Sequence, residues 1–153
     1  MRYARLMPVL LALAATLYAA DPFAATWKMN TAKTKYAVGN APKEQTVVIT
    51  ETGTDLTVKI TGAAADGTKI ALGYVVPAAG GSGKINGVSP YDGVTSKRLA
   101  PTEREISYMK AGKAVYMTHS KISADGNSLS VSVKGSNVLG QAVEGVVVYD
   151  KQK

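Results

Sequence analysis

The sequence predicts an all-β domain: an antiparallel up-and-down meander of about eight to ten strands closed into a barrel, with a β-sandwich as the alternative. Three observations lead there. Apolar and polar residues alternate with period two along most of the chain after residue 44. Glycine-containing turn dipeptides separate these runs, most of them about 11 to 15 residues apart. No long stretch after residue 20 has convincing helical periodicity.

The N-terminus stands apart from this pattern. Arg2 and Arg5 form a short basic region, Leu6 to Leu17 is apolar except for Pro8 and Thr16, and the small residues Ala19 and Ala20 follow. That layout predicts a signal helix over 1–19, with the mature domain over 20–153. Cleavage after Ala19 fits best, with Leu17 at the minus-three position, and the site can shift by a residue or more. The apolar run is too short for a comfortable permanent span. The expectation is an exported protein, periplasmic or secreted, with no stable membrane anchor once the signal is cut; an uncleaved anchor is the alternative. The chain has no cysteine. No disulfide supports the exported domain, so its core alone must hold it.

The mature chain opens on "DPFAATWKMNTAKTKY", which holds the only Phe and the only Trp, Phe23 and Trp27. Phe23 lies an even number of residues before Trp27, so a strand that begins early enough places both on one face. The segment 30–44, "NTAKTKYAVGNAPKE", reads as a loop. Strands follow near 45–51 and 55–62, divided by Thr52-Gly53; in the second, Leu56, Val58 and Ile60 alternate with Thr57, Lys59 and Thr61. Asp66-Gly67 precedes a strand over 68–76, where Ile70, Leu72, Tyr74 and Val76 share a face. "PAAGGSGKINGVSP", Pro77 to Pro90, reads as a longer loop with room for a short strand around Lys84–Val88. The remaining strands are predicted near 92–99, 103–109, 113–123, 127–135 and 141–150. Ala111-Gly112, Asp125-Gly126 and Asn137 to Gly140 supply turns that tolerate positive φ.

A sheet of this size with one apolar face must bury it. Sequential hairpins favour closure into a barrel, which also removes exposed edges. Trp27, on the first strand, is then a closure residue that plugs one end and packs under several strands, with Phe23 beside it.

Ala25-Thr26-Trp27 at the head of the meander resembles the first strand of the lipocalin and fatty-acid-binding superfamily, which carries Gly-x-Trp; here Ala stands for the Gly. A closer resemblance is to a largely uncharacterised group of small, secreted, lipocalin-like bacterial proteins. It rests on "TWKMNTAKTKYAVGNAPKEQTV" at 26–47, "KISADGNSLSVSVKG" at 121–135 and "VVVYDKQ" at 146–152. It implies a lipocalin-like barrel over nearly all of the mature chain and no particular activity. The superfamily's Arg or Lys that packs on the Trp has one candidate, Lys151, which follows the last strand.

Catalysis has little to stand on, and the expectation is that the protein is not an enzyme. His119 is the only His. It lies mid-strand between Thr118 and Ser120, whose side chains point to the opposite face, so neither serves it as a nucleophile. No His-carboxylate cluster has metal-ligand spacing, and no metal or cofactor is implied. Glu103 and Glu105 share a strand face as glycosidase carboxylates would, but they flank Arg104 near a turn and read as a solvated strand end. "GGSGK" at 80–84 lacks the first Gly and the final Ser or Thr of a phosphate loop, with Ala78 and Ile85 in those places, and reads as a flexible loop.

The formal charge of +7 falls to about +5 on loss of Arg2 and Arg5. Its lysines are dispersed, which predicts a solvated surface rather than an anionic partner. Nucleic acid is not expected as a partner, because Tyr74 and Tyr108 fall in phase with core aliphatics.

Two functional readings follow. In the first, the barrel holds a small hydrophobic or amphipathic ligand, lined by aliphatics with Tyr74, Tyr108 and Met117. In the second, the barrel is filled and the protein acts on a protein partner, as a periplasmic inhibitor or envelope accessory, through the loops 77–91 and 30–44. The interior decides between them: a connected apolar void of about 300 Å³ or more favours the first.

Overall fold

The structure, a computed structural model, describes residues 19–153; the expected signal helix over 1–19 lies almost wholly outside the described residues. The described chain is an all-antiparallel, nearly closed β-barrel of twelve strands with no helix. The strands are β1 (Thr26–Met29), β2 (Lys35–Val38), β3 (Glu44–Thr52), β4 (Asp55–Ala63), β5 (Lys69–Pro77), β6 (Gly80–Ser82), β7 (Lys84–Asn86), β8 (Gly93–Ala100), β9 (Glu103–Lys110), β10 (Lys113–Ile122), β11 (Ser128–Ser136) and β12 (Ala142–Lys151). The eight strands predicted between 45 and 150 each fall within one residue of the observed bounds, because period-two alternation is a local property of a half-buried strand. The count exceeds the expected eight to ten through β2, β6 and β7, short strands in stretches read mainly as loops.

Nine main strands form the wall in the order β8-β9-β10-β11-β12-β1-β3-β4-β5. Alternating direction along that row leaves its two ends, β8 and β5, running the same way. An antiparallel ring cannot close on such a pair. The segment 80–86 resolves this by running antiparallel to both. Its first half, β6, pairs with β8 (Gly81 opposite Ser96), and its second half, β7, pairs with β5 (Tyr74 opposite Ile85). The "GGSGK" stretch is therefore part of the wall, which corrects its reading as a flexible loop. Between the halves the N–H of Gly83 donates to the Val94 carbonyl at 2.8 Å. β2 adds a further short edge to β12, with Tyr36 opposite Gly145.

Trp27 is wholly buried and Phe23 nearly so. Trp27 reaches the interior by strand alternation, but Phe23 does not. It sits in a turn before β1, where its N–H donates to Asp21 Oδ1 at 3.0 Å and its carbonyl accepts the Trp27 indole N–H at 3.0 Å. The even spacing of the two residues is thus not the reason they share the core. Together they floor one end of the barrel. A buried Trp contributes roughly 4–6 kcal/mol at most from the area it removes from water. Lys151 lies opposite Trp27 across β12, with Nζ 6.0 Å from the ring centroid.

Gly83 is needed for steric reasons. A Cβ there would lie 2.2 Å from the Val75 carbonyl oxygen and 2.6 Å from Val76 Cγ1. Gly83→Ala should force the seam apart and lower stability by about 2 kcal/mol or more, read as a denaturant midpoint. Ser82→Ala, on the same segment, should change it by less than about 0.5 kcal/mol. Equal midpoints for the two variants would show that 80–86 does not hold the barrel closed.

Candidate functional site

The inward faces of the strands enclose a cavity of about 180 Å³. It extends from the floor, at Phe23, Leu56, Val76 and Arg104, to the other end of the barrel, at Asn40, Pro42, Ala65 and the β11–β12 turn. Most of its wall is aliphatic, with Val58, Ile60, Leu72, Ile106 and Val147 prominent. Val58 and Ile60 alternate with outward Thr57, Lys59 and Thr61, and Ile106 with Glu105 and Ser107, so much of the lining follows from the sequence pattern.

Tyrosines make the second contribution. Tyr74 and Tyr108 pack edge to face with centroids 5.6 Å apart, while Tyr91 and Tyr116 stack on each other at 6.2 Å and lie 5.0 Å and 5.3 Å from Tyr108. The Tyr91 hydroxyl donates to the Ser136 carbonyl at 2.8 Å. The Tyr149 hydroxyl is hydrogen-bonded to Gln45 Oε1. Burial pushes all these phenols up. It carries Tyr36 to about 12 and raises Tyr91 and Tyr149 further. Tyr108 and Tyr116 rise well above the ordinary value, again chiefly by burial, with neighbouring tyrosines adding to it. Burial also raises Tyr74, opposed by the Tyr108 hydroxyl and by the charge of Arg104.

Arg104 is the polar feature of the floor and is almost fully buried, at 4% exposure. Its Nη1 donates to Ser96 Oγ at 2.8 Å, its Nη2 to the Ala78 carbonyl at 2.7 Å, and its guanidinium lies 5.6 Å from the Phe23 ring centroid. Beside it the buried Asp21 carboxylate accepts from Arg98 Nη1 at 3.0 Å and lies 3.7 Å from Arg104 Nη2. The Asp21 N–H in turn donates to Glu51 Oε2 at 2.8 Å. Asp21 therefore ties β3, β8 and β9 to the segment that carries Phe23.

Of the residues expected at a ligand site, Tyr74 and Tyr108 line the cavity and touch one another. Met117 does not: it is 48% exposed on the outer wall. The inward residues of β10 are Tyr116, Thr118, Ser120 and Ile122, after a register shift between Ala114 and Tyr116. Apolar residues occupy both phases of this strand and the inward phase carries two hydroxyls, so hydrophobic alternation misassigns it. His119 and Glu103 form a 2.6 Å pair on the outer wall, away from the cavity.

Sequence reasoning passed over Arg104, Thr118, Ser120, Gln45 and the tyrosines at 36, 91, 116 and 149. For Arg104 the signal was present: it stands in phase with Ile106 and Tyr108. Its charge argued for solvent, and only the fold supplies Ser96 Oγ and the Ala78 carbonyl.

No family model matches the sequence, and no curated protein matches it. Among solved structures the chain is similar to a fluorescence-activating β-barrel made by de novo design. The match has 15% identity and a TM-score of 0.44, and covers 86% of this chain and 94% of that one.

Asp21→Ala would leave Arg104 buried without its carboxylate and release the Phe23 turn. It should cost about 3 kcal/mol in urea unfolding; a loss below about 1 kcal/mol would mean that the floor does not depend on this carboxylate. A second test uses alkali. Six tyrosines remain in residues 20–153, and all six have raised pKa values. The stability they contribute as neutral phenols is fully present below about pH 10, their unfolded value, and is lost as pH rises toward and beyond about 12. Phenolate absorbance of the mature protein should stay low to about pH 10 and then rise together with the loss of β circular dichroism. Ionisation centred near pH 10 with the β signal intact would contradict the burial of the cluster.

Proposed function

We propose that this protein is an exported, non-enzymatic binding protein that holds a small hydrophobic or amphipathic molecule inside its barrel. The cavity of about 180 Å³, walled by aliphatics with a few polar groups, carries the reading. It falls short of the roughly 300 Å³ expected of a ligand-holding barrel, the lower limit of drug-sized pockets, yet the interior is not filled either. It exceeds the roughly 150 Å³ of a dry apolar cavity that takes a single benzene ring. The fitting cargo is thus one ring or a short branched chain rather than a long lipid. Export is supported by the basic, apolar and small-residue order of the first twenty residues. The resemblance of the Trp27 strand to lipocalin-like proteins points the same way. The alternative, a filled barrel acting on a protein partner, is weakened at one of its two loops, since much of 77–91 is wall.

Native mass spectrometry of the mature protein, purified from the exported fraction without denaturant, tests this. The expected result is an added mass of one small organic molecule, released on denaturation. Val58→Phe, which fills the cavity at a cost of about 1–3 kcal/mol, should keep the fold and lose the added mass. A bare polypeptide mass that persists after incubation with a lipid extract and with toluene would overturn the reading and turn attention to a protein partner.

A further inference from the structure

Near the floor stands a carboxylate that no side chain balances. Glu51, close to the end of β3, forms no ion pair with a Lys or Arg side chain among the described residues. Its Oε2 instead accepts from the backbone nitrogen of Asp21 at 2.8 Å. The Asp21 carboxylate is committed elsewhere, to Arg98 and Arg104. Asp21 is also the first buried residue of the described chain. Ala19 and Ala20 before it are exposed and make no backbone hydrogen bond among the described residues.

Export requires a cut in this same stretch, where small residues stand at 19 and 20. The sequence pattern favours the bond after Ala19, because that places Leu17 rather than Tyr18 at the minus-three position. The floor favours the next bond. A cut after Ala19 leaves the new ammonium on an exposed residue, about 3.8 Å of chain before Asp21. A cut after Ala20 makes the Asp21 nitrogen itself the ammonium, already within hydrogen-bond distance of a carboxylate. The cut then adds a full opposite charge to an existing contact, with no rearrangement of the floor.

We propose that export processing hydrolyses the Ala20–Asp21 peptide bond, and that the Asp21 ammonium so formed pairs with Glu51. Water gives its oxygen to the Ala20 carbonyl carbon, which leaves as a carboxylate, and the Asp21 nitrogen takes up protons to become the ammonium. The charges of the floor then pair in two sets, ammonium with Glu51 and the Asp21 carboxylate with Arg98 and Arg104. In the uncut precursor Asp21 carries a neutral amide, so the floor is complete only after the leader is gone. This rests on the export part of the reading above and is independent of the cargo.

Intact-mass measurement of the protein from the exported fraction locates the cut. The expected mass is that of residues 21–153. A chain that begins at Ala20, or at any other residue but Asp21, would overturn the proposal and leave export standing. An uncut chain would overturn both. The ion pair is read from urea midpoints of 21–153, wild type against Glu51→Gln, at about pH 6.5 and about pH 9.5. A free α-amino group titrates near about pH 8, and a carboxylate partner raises it. Its stabilisation is therefore fully present below about pH 8 and is lost as pH rises through the raised value. Around the ammonium stand Glu51, the Asp21 carboxylate, Arg98 and Arg104, and groups of these kinds titrate outside that window. Glu51→Gln should lower the midpoint at the lower pH, and by less than half as much at the higher. An equal deficit at both would overturn the ion pair. Should Glu51→Gln fail to fold, the same comparison is made between 21–153 and 20–153: the shorter chain should be the more stable at the lower pH only, and equal midpoints there would overturn the ion pair.

Discussion

Nine antiparallel strands cannot close a ring, because the two end strands point the same way, and most of this structure answers that constraint. The chain spends seven residues, 80–86, on a strand split between two partners, pairing first with β8 and then with β5. The split point is Gly83, where β5 and β8 come too close for any side chain. Closure by so short a segment leaves little sheet at the seam, and the barrel is nearly rather than fully closed. Its stability has to be reinforced elsewhere. Trp27 and Phe23 do this at the floor, and Asp21 links the N-terminal segment to Arg98 and Arg104 across the end of the barrel.

The same floor makes the interior chemically asymmetric. Along most of its length the cavity is aliphatic or aromatic, and its tyrosine hydroxyls are held neutral by burial. At the closed end stands a buried guanidinium that is only partly compensated. The other end carries polar groups at Asn40, Asp66, Asn137 and Gln141, the middle is apolar, and the positive charge stands at the floor. In a low-dielectric interior that charge acts strongly over a short range. One arginine thus braces the floor through its Nη atoms, which donate to Ser96 Oγ and the Ala78 carbonyl, while its side chain also lines the cavity.

Two errors of sequence reading have a common origin. On β10 the apolar Met117 faces out while Thr118 and Ser120 face in, and on β9 the charged Arg104 faces in. Hydrophobic alternation assumes that inside means apolar. A barrel that keeps a cavity breaks this assumption where polar groups line the space. Departures from the pattern therefore coincide with the candidate site. They show in the amino-acid sequence itself, as polar residues standing in the inward phase of their strands.

The sequence by itself determined the strands, most of their bounds, the antiparallel meander and the presence of Trp27 at the start of it, since alternation and glycine turns act over a few neighbouring residues. It also placed Tyr74 and Tyr108 inside, through their phase with Ile70, Leu72 and Ile106. Only the tertiary structure decided that a glycine-rich stretch is wall, that Phe23 enters the core through an Asp21 turn, and that Arg104 is buried beside a cavity. The wall segment and Arg104 depend on partners about 8 to 27 residues away, such as Ser96 and Pro77 for Arg104, and the Asp21 turn, though local, is anchored by Arg98, 77 residues on. The positions of such partners are set by closure of the ring and by no local pattern.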